Sequence, residues 1–130
     1  MSDYRTPLRR IRGLGSAKHG VGHFIGQRVS AAALVLLVLW GVYSALGLAR
    51  ADYQTAVYWL HSPWHAVLTA LLIGTACYHM QIGMREVVED YIHKTSTKTV
   101  LLILNLFVCW LAGAAGVFSI LKVAFGGGAF

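Results

Sequence analysis

A histidine inside an apolar stretch is the residue of this chain with the clearest potential for chemistry. Residues 63–84 contain no Asp, Glu, Lys or Arg but hold two of the six histidines, His65 and His79. Polar side chains at membrane depth are costly and are therefore candidates for function. Gly83 follows His79 by about one helical turn and leaves room beside the imidazole for a flat ring. Imidazole is a common axial ligand of haem iron, so His79 is a candidate haem ligand, with a packed or hydrogen-bonded histidine as the alternative.

The rest of the chain limits how a haem could be held. Residues 29–49 and 99–121 contain no histidine. A second axial imidazole at membrane depth must therefore come from another subunit, and His79 would form half of a bis-histidine site. His65 lies ~21 Å from His79 along a continuous helix, which leaves a two-haem arrangement open. A hydrogen bond to a neighbouring helix is the simpler interpretation of His65.

A second group of residues, Asp90 and Tyr91, has the chemistry of a quinone site. They lie about 16 Å beyond the histidine on the same helix. A neutral tyrosine can donate a hydrogen bond to a quinone carbonyl, and a carboxylate can relay protons from water. Arg28 adds a permanent positive charge that could pair with a haem propionate or with Asp90. The alternatives are a solvated helix end for Asp90, Glu86 and Glu89, and an interfacial anchor for Tyr91.

Three apolar stretches must position these residues. The chain is 57% hydrophobic and only 12% charged, about half the charged fraction of a soluble domain. Spanning a bilayer as a helix takes ~20 apolar residues. Pro63 suits a first helical turn, and Ser62 can cap it. The sequence predicts an all-α integral membrane protein: one transmembrane domain over 1–130, with a basic, surface-lying leader over 1–28 and helices at about 29–49, 63–90 and 99–121.

The net charge of +6 is a topology signal, because the basic residues are unevenly placed. Six of them precede residue 29, three lie within 85–98, and one lies in each of the segments 50–62 and 122–130. Basic segments stay in the cytoplasm, so the N-terminus and 85–98 are predicted inside and the other two segments outside. No motif indicates nucleic-acid binding. The absence of a Ser/Arg-rich presequence before Gly15 favours a bacterial inner membrane over the mitochondrial one.

Two segments resemble motifs of one known family. Residues 15–31 read GSAKHGVGHFIGQRVSA, and residues 79–91 read HMQIGMREVVEDY. They are similar to the leader-to-first-helix motif and the second-helix motif of the succinate dehydrogenase hydrophobic membrane anchor subunit of respiratory complex II. The second motif is a histidine with glycine four residues later and Asp-Tyr eleven and twelve residues later. The two motifs cover about a quarter of the chain, and the remainder matches in topology.

The resemblance implies a haem b shared by two membrane anchor subunits, and a ubiquinone site between these subunits and the iron–sulfur subunit. By position, His79 matches the axial haem ligand, Tyr91 the quinone-contacting tyrosine and Asp90 its acidic neighbour. Arg28 matches the arginine near the haem propionates and borders the quinone site as well. The remaining pocket residues implied are Gly83 and a leader histidine, for which His23 is preferred to His19.

The resemblance also implies partners and a division of labour. These are a second anchor subunit of cytochrome b556 type, an iron–sulfur subunit and a flavoprotein subunit, with lipid around the helices. FAD and the iron–sulfur clusters belong to the other subunits, because this chain has no cysteine cluster and no dinucleotide-binding glycine motif. The chain is expected to serve succinate:quinone oxidoreduction without succinate-oxidising residues or independent activity. The alternatives are a dihaem cytochrome b membrane subunit and a non-catalytic membrane assembly protein.

Overall fold

Three long helices dominate the structure, a computed structural model that describes residues 6, 8 and 20–126. The helices of the segment 20–126 are α1 (Gly20–Leu48), α2 (Tyr53–His61), α3 (Pro63–Tyr91) and α4 (Thr95–Phe125), with no strand in that segment. By length and composition, α1, α3 and α4 can each cross a membrane. The prediction of an all-α protein with three spanning helices is confirmed.

The helices extend beyond the apolar stretches that predicted them. Residues 20–28, expected in the surface leader, belong to α1 and continue directly into the first span. α4 begins at Thr95 rather than near residue 99, and the short helix α2 occupies the connection between the first two spans. Apolar composition indicates which part of a helix lies in lipid. The helix itself can extend beyond the apolar stretch, because its backbone hydrogen bonds do not require apolar side chains. His19 and the other leader residues up to that position, apart from Thr6 and Leu8, lie outside the described residues.

The connection before α3 is set by two different caps. The Asp52 carboxylate accepts a hydrogen bond from the Thr55 amide at 3.0 Å, which caps α2. Pro63 occupies the first turn of α3 as predicted. Ser62 stands at the cap position of α3, but its side chain makes no capping hydrogen bond, contrary to expectation. Its backbone N–H instead donates to the Trp59 carbonyl and closes α2.

α3 is the central helix and packs against both α1 and α4. The α3–α4 contact is close at Gly116, where an added Cβ would lie 2.7 Å from the Ile73 Cγ2 atom. Asn105 of α4 donates a hydrogen bond from Nδ2 to the Gln81 carbonyl of α3 at 2.9 Å. Small residues and interhelical hydrogen bonds are the usual means of joining helices in a membrane.

Large apolar side chains lie mainly on the surface of the bundle rather than inside it. The buried residues of the described chain are Ala66, Ile82, Val88, Cys109 and Ser30. A surface of this kind suits lipid or other membrane subunits, since neither requires polar contacts. Ser30 is the one polar residue in this buried set, at 5% exposure, and it lies beside His79.

Candidate functional site

The candidate residues gather at one end of the bundle. α1 begins there, α3 ends there and α4 begins there. We call it the basic end, because most of the Lys and Arg residues within 20–126 lie in or next to these helix ends: Arg28, Arg85, Lys94 and Lys98. The antiparallel arrangement of α1 and α3 brings the start of one against the last turns of the other.

His79 of α3 is held by a side chain of α1. Its Nδ1 atom lies 2.9 Å from the Oγ atom of Ser30. The same Ser30 hydroxyl donates to the carbonyl oxygen of Gln27, one turn earlier on α1, at 3.1 Å. Neither Ser30 nor Gln27 was among the residues predicted from the sequence. Their contacts fix the imidazole of His79 at the α1–α3 interface.

The other ring nitrogen of His79 is available to a ligand. Within the described chain Nε2 has no hydrogen-bond partner, and it is not among the buried unpartnered atoms. At Gly83, one turn further along α3, an added Cβ would meet no atom within 4 Å. An unpartnered imidazole nitrogen beside an open helix surface has the chemistry of a ligand to haem iron. In the same described part, no group of three or more His, Cys, Asp or Glu residues could hold a bare metal ion.

A second set of contacts continues along the same interface. The Nδ1 atom of His23 lies 3.5 Å from the Oε1 atom of Glu86, and Gln27 donates from Nε2 to Glu86 Oε2 at 3.1 Å. Nε2 of His23 is buried without a partner. Glu86, for which a solvated helix end was an alternative, therefore pairs across the two helices. His23, Gln27, Ser30, His79 and Glu86 together form what we call the polar cluster.

The spacing of the polar cluster explains how it forms. His23, Gln27 and Ser30 lie four and three residues apart, so they share one face of α1. His79 and Glu86 lie two turns apart on α3 and meet that face. His23 was predicted from the sequence, but Gln27 and Ser30 were not, because the face of α1 that they share with His23 crosses the start of the apolar stretch that was used to mark the helix. A search for polar residues at helical spacing across residue 29 would have found them.

Tyr91, Asp90 and Arg28 are not brought together. The Tyr91 side chain is 78% exposed in the last turn of α3, and the neighbouring Asp90 is exposed as well. The Arg28 guanidinium lies over the Phe24 ring at 4.9 Å from its centroid. In the described chain Arg28 makes no ion pair with Asp90, and neither Asp90 nor Tyr91 has a hydrogen-bond partner. All three side chains are exposed in the part of the chain that the structure describes.

His65 lies in a different environment near the opposite end of α3. Its Nδ1 atom lies 3.0 Å from the Trp59 carbonyl oxygen. Its ring stacks on the Trp59 indole with 4.1 Å between centroids, and the Trp40 indole lies 6.5 Å away. A hydrogen bond and a covered ring face are features of a packing histidine, which is the simpler of the two interpretations from the sequence.

Fold and site together define a small three-helix membrane protein that carries an accessible imidazole and a polar cluster at one end. The family model described as "Succinate dehydrogenase/Fumarate reductase transmembrane subunit" matches residues 2–115, and the chain belongs to this family. The resemblance noted in the sequence is thereby confirmed.

Individual relatives match over most of their length. The chain is 33% identical over 101 residues to the succinate dehydrogenase hydrophobic membrane anchor subunit of Rickettsia bellii, covering 78% of this chain and 81% of that protein. It is 33% identical over 108 residues to the subunit of the same name from Rickettsia conorii, covering 81% and 85%. For that of Paracoccus denitrificans the identity is 30% over 124 residues, covering 95% of both chains.

Proposed function

We propose that this chain is the hydrophobic membrane anchor subunit of a bacterial succinate:quinone oxidoreductase, the subunit that forms half of a haem b site and part of a ubiquinone-reduction site. Family membership and the names of the relatives support the anchor role. The observation that carries the haem assignment is His79, whose Nδ1 atom is engaged by α1 while Nε2 remains accessible beside Gly83.

The polar cluster accounts for how this chain would hold its share of the haem. His79 would supply one axial nitrogen, and the partner anchor subunit of cytochrome b556 type would supply the other. Groups that hydrogen-bond a ligating histidine fix its orientation and raise its basicity. His23 and Arg28 carry the positive or hydrogen-bonding groups suited to propionates. When bound, the haem would supply a one-electron redox centre next to the quinone.

Quinone reduction would take place at the basic end, near Tyr91. Two electrons arrive from the iron–sulfur subunit, and two protons from water complete the quinol. The Tyr91 hydroxyl would donate a hydrogen bond to a quinone carbonyl, and Asp90 would pass protons from the aqueous surface. The Arg28 guanidinium would favour the negative charge that develops on the quinone oxygens. Succinate oxidation would remain with the flavoprotein subunit, which carries FAD.

The distribution of basic residues supports an orientation in the bacterial inner membrane. The basic end would face the cytoplasm, where the iron–sulfur and flavoprotein subunits would dock. The outer surface of the three helices, with its exposed large apolar side chains, would contact lipid and the partner anchor subunit. The chain would have no activity of its own and would act only in the assembled complex.

A pair of histidine substitutions tests the proposal. His79→Ala and His65→Ala are compared in detergent-extracted complex by dithionite-reduced spectra, with the co-purifying subunits identified by mass. We expect His79→Ala to weaken or alter the haem spectrum and His65→Ala to leave most of it, because the His65 ring is stacked on Trp59, whereas His79 lies one turn from the open helix surface at Gly83. An unchanged low-spin spectrum in His79→Ala would refute the haem assignment. Loss of the haem spectrum in His65→Ala would favour the dihaem cytochrome. A wild-type complex that contains no haem would favour the assembly protein.

A further inference from the structure

The Ser30 hydroxyl has two contacts and one proton. Its Oγ atom lies 3.1 Å from the Gln27 carbonyl oxygen and 2.9 Å from His79 Nδ1. The hydroxyl donates its proton to the Gln27 carbonyl oxygen, which can only accept. The contact with His79 is then a hydrogen bond only if the proton comes from the imidazole. Nδ1–H donates to Oγ, and Oγ accepts.

If the hydroxyl proton is given to Gln27, the contact selects one tautomer of the neutral imidazole. A neutral histidine carries one ring proton, and that proton would then be at Nδ1. Nε2 therefore has its lone pair free, and Nε2 is the nitrogen without a partner in the described chain. Ser30 is also buried, at 5% exposure, so water does not readily replace its oxygen as the acceptor.

We propose that Ser30 is a positioning residue for His79: it accepts the Nδ1–H proton, holds the imidazole in the tautomer that presents Nε2, and raises the basicity of that nitrogen toward haem iron. This inference rests on the proposed function of His79. Ser30 itself contacts no reacting atom. It acts through the ring, in the manner of the outer-shell acceptors that orient metal-bound histidines.

The effect of Ser30 on redox equilibrium has a definite sign. A hydrogen bond from Nδ1–H to an acceptor leaves more electron density at Nε2, which stabilises ferric iron more than ferrous iron. Loss of that acceptor should therefore raise the midpoint potential of the haem. If the preference for ferric iron falls by up to about tenfold, the rise is up to about 59 mV, since a one-electron couple changes by that amount per tenfold.

The test measures haem midpoint potential in assembled, membrane-extracted complex by redox titration of the absorption spectrum. Ser30→Ala removes the acceptor and should give the higher potential. Ser30→Thr keeps the hydroxyl and should restore the wild-type value. The matched control is Ser119→Ala: Ser119 also donates to a backbone carbonyl of its own helix, Ala115 at 2.7 Å, but contacts no histidine. This control should leave the potential unchanged.

Two results would overturn the inference: a wild-type potential in Ser30→Ala, or an equal rise in Ser30→Thr. If the alanine variant does not assemble, Ser30→Cys provides the measurement, because a thiol of similar size is a weak acceptor. A rise in that variant supports the role of Ser30, and a wild-type potential contradicts it. The proposed function fails separately, when His79→Ala retains the wild-type spectrum. A normal potential in Ser30→Ala together with an altered spectrum in His79→Ala refutes the Ser30 role alone.

Discussion

Replacing Tyr91 by phenylalanine removes one oxygen from a side chain that has no hydrogen-bond partner within the described chain. Tyr91 is 78% exposed at the end of α3. The substitution therefore breaks no hydrogen bond within the described chain and retains the aromatic ring. We expect a functional effect to come from a ligand or from another subunit that meets the hydroxyl in the assembled complex.

The expected effect follows from the hydrogen bond proposed between the Tyr91 hydroxyl and a quinone carbonyl. Leaving a buried partner unpaired costs ~1–3 kcal/mol, which corresponds to roughly a ten- to hundredfold loss in quinone reduction. Succinate oxidation with a soluble dye that takes electrons before the quinone should stay near wild type, because no flavin or iron–sulfur ligand has changed. The haem spectrum should persist, since Tyr91 lies about 120° around α3 from His79.

The assay is the ratio of quinone-linked to dye-linked turnover in assembled complex. Tyr58→Phe is the matched control, because Tyr58 of α2 is equally exposed, at 82%, and has no proposed role. The ratio should fall in Tyr91→Phe and remain unchanged in Tyr58→Phe. A wild-type ratio in Tyr91→Phe would show that Tyr91 is an interfacial anchor, and a parallel fall in both activities would indicate an assembly defect.

Three further predictions concern the fold and its orientation. Gly116→Ala should lower the free energy of unfolding by about 1–3 kcal/mol more than Gly47→Ala, as measured by thermal melts. The Cβ added at residue 116 would lie 2.7 Å from the Ile73 side chain, whereas the Cβ added at residue 47 would meet nothing within 4 Å. Equal effects of the two substitutions would contradict this packing. The side-chain and backbone hydrogen bonds from Thr55 hold the pKa of Asp52 below its ordinary value of 3.8. The Asp52 carboxylate that accepts from the Thr55 amide should therefore protect this amide from hydrogen exchange fully above pH 3.8, and the protection should fall as the pH drops through the lowered pKa. Asp52→Asn should keep the cap but lose that pH dependence. A reporter enzyme fused after Phe130 should report a periplasmic end, and a cytoplasmic end would exclude the proposed orientation.

Hydrophobic composition was sufficient to predict the spans, but it could not fix where the helices end. The apolar stretch at 29–49 marks the part of α1 that suits lipid, while α1 continues back to Gly20 through a segment that contains the polar residues His23, Gln27 and Arg28. His23 and Gln27 are stable in that extension because their side chains meet Glu86 of α3. Such a contact depends on the relative rotation of two helices, which the composition of either helix does not encode.

His79 was identifiable from the sequence because an imidazole at membrane depth is unusual whatever it contacts. Ser30 was not, because a serine in a membrane helix is common and usually bonds back to its own helix. Ser119 does only that, while Ser30 does so and also contacts an imidazole nitrogen of another helix. The distinction between the two serines arises from the partner helix and becomes visible only in three dimensions.

The proposed haem site and the proposed quinone site differ in how many of their contacts lie within this chain. The polar cluster has its principal contacts within the chain, so its geometry can form when α1 packs against α3. Tyr91, Asp90 and Arg28 have no hydrogen bond or ion pair in the described chain, and we expect their geometry to depend on what docks at the basic end. Substitutions in the polar cluster should therefore change the haem spectrum and potential even before quinone binds. Substitutions of Asp90 and Tyr91 should act on quinone turnover alone, and only once the other subunits are in place. Substitution of Arg28, which is also proposed for the haem propionates, should affect both the haem and quinone turnover.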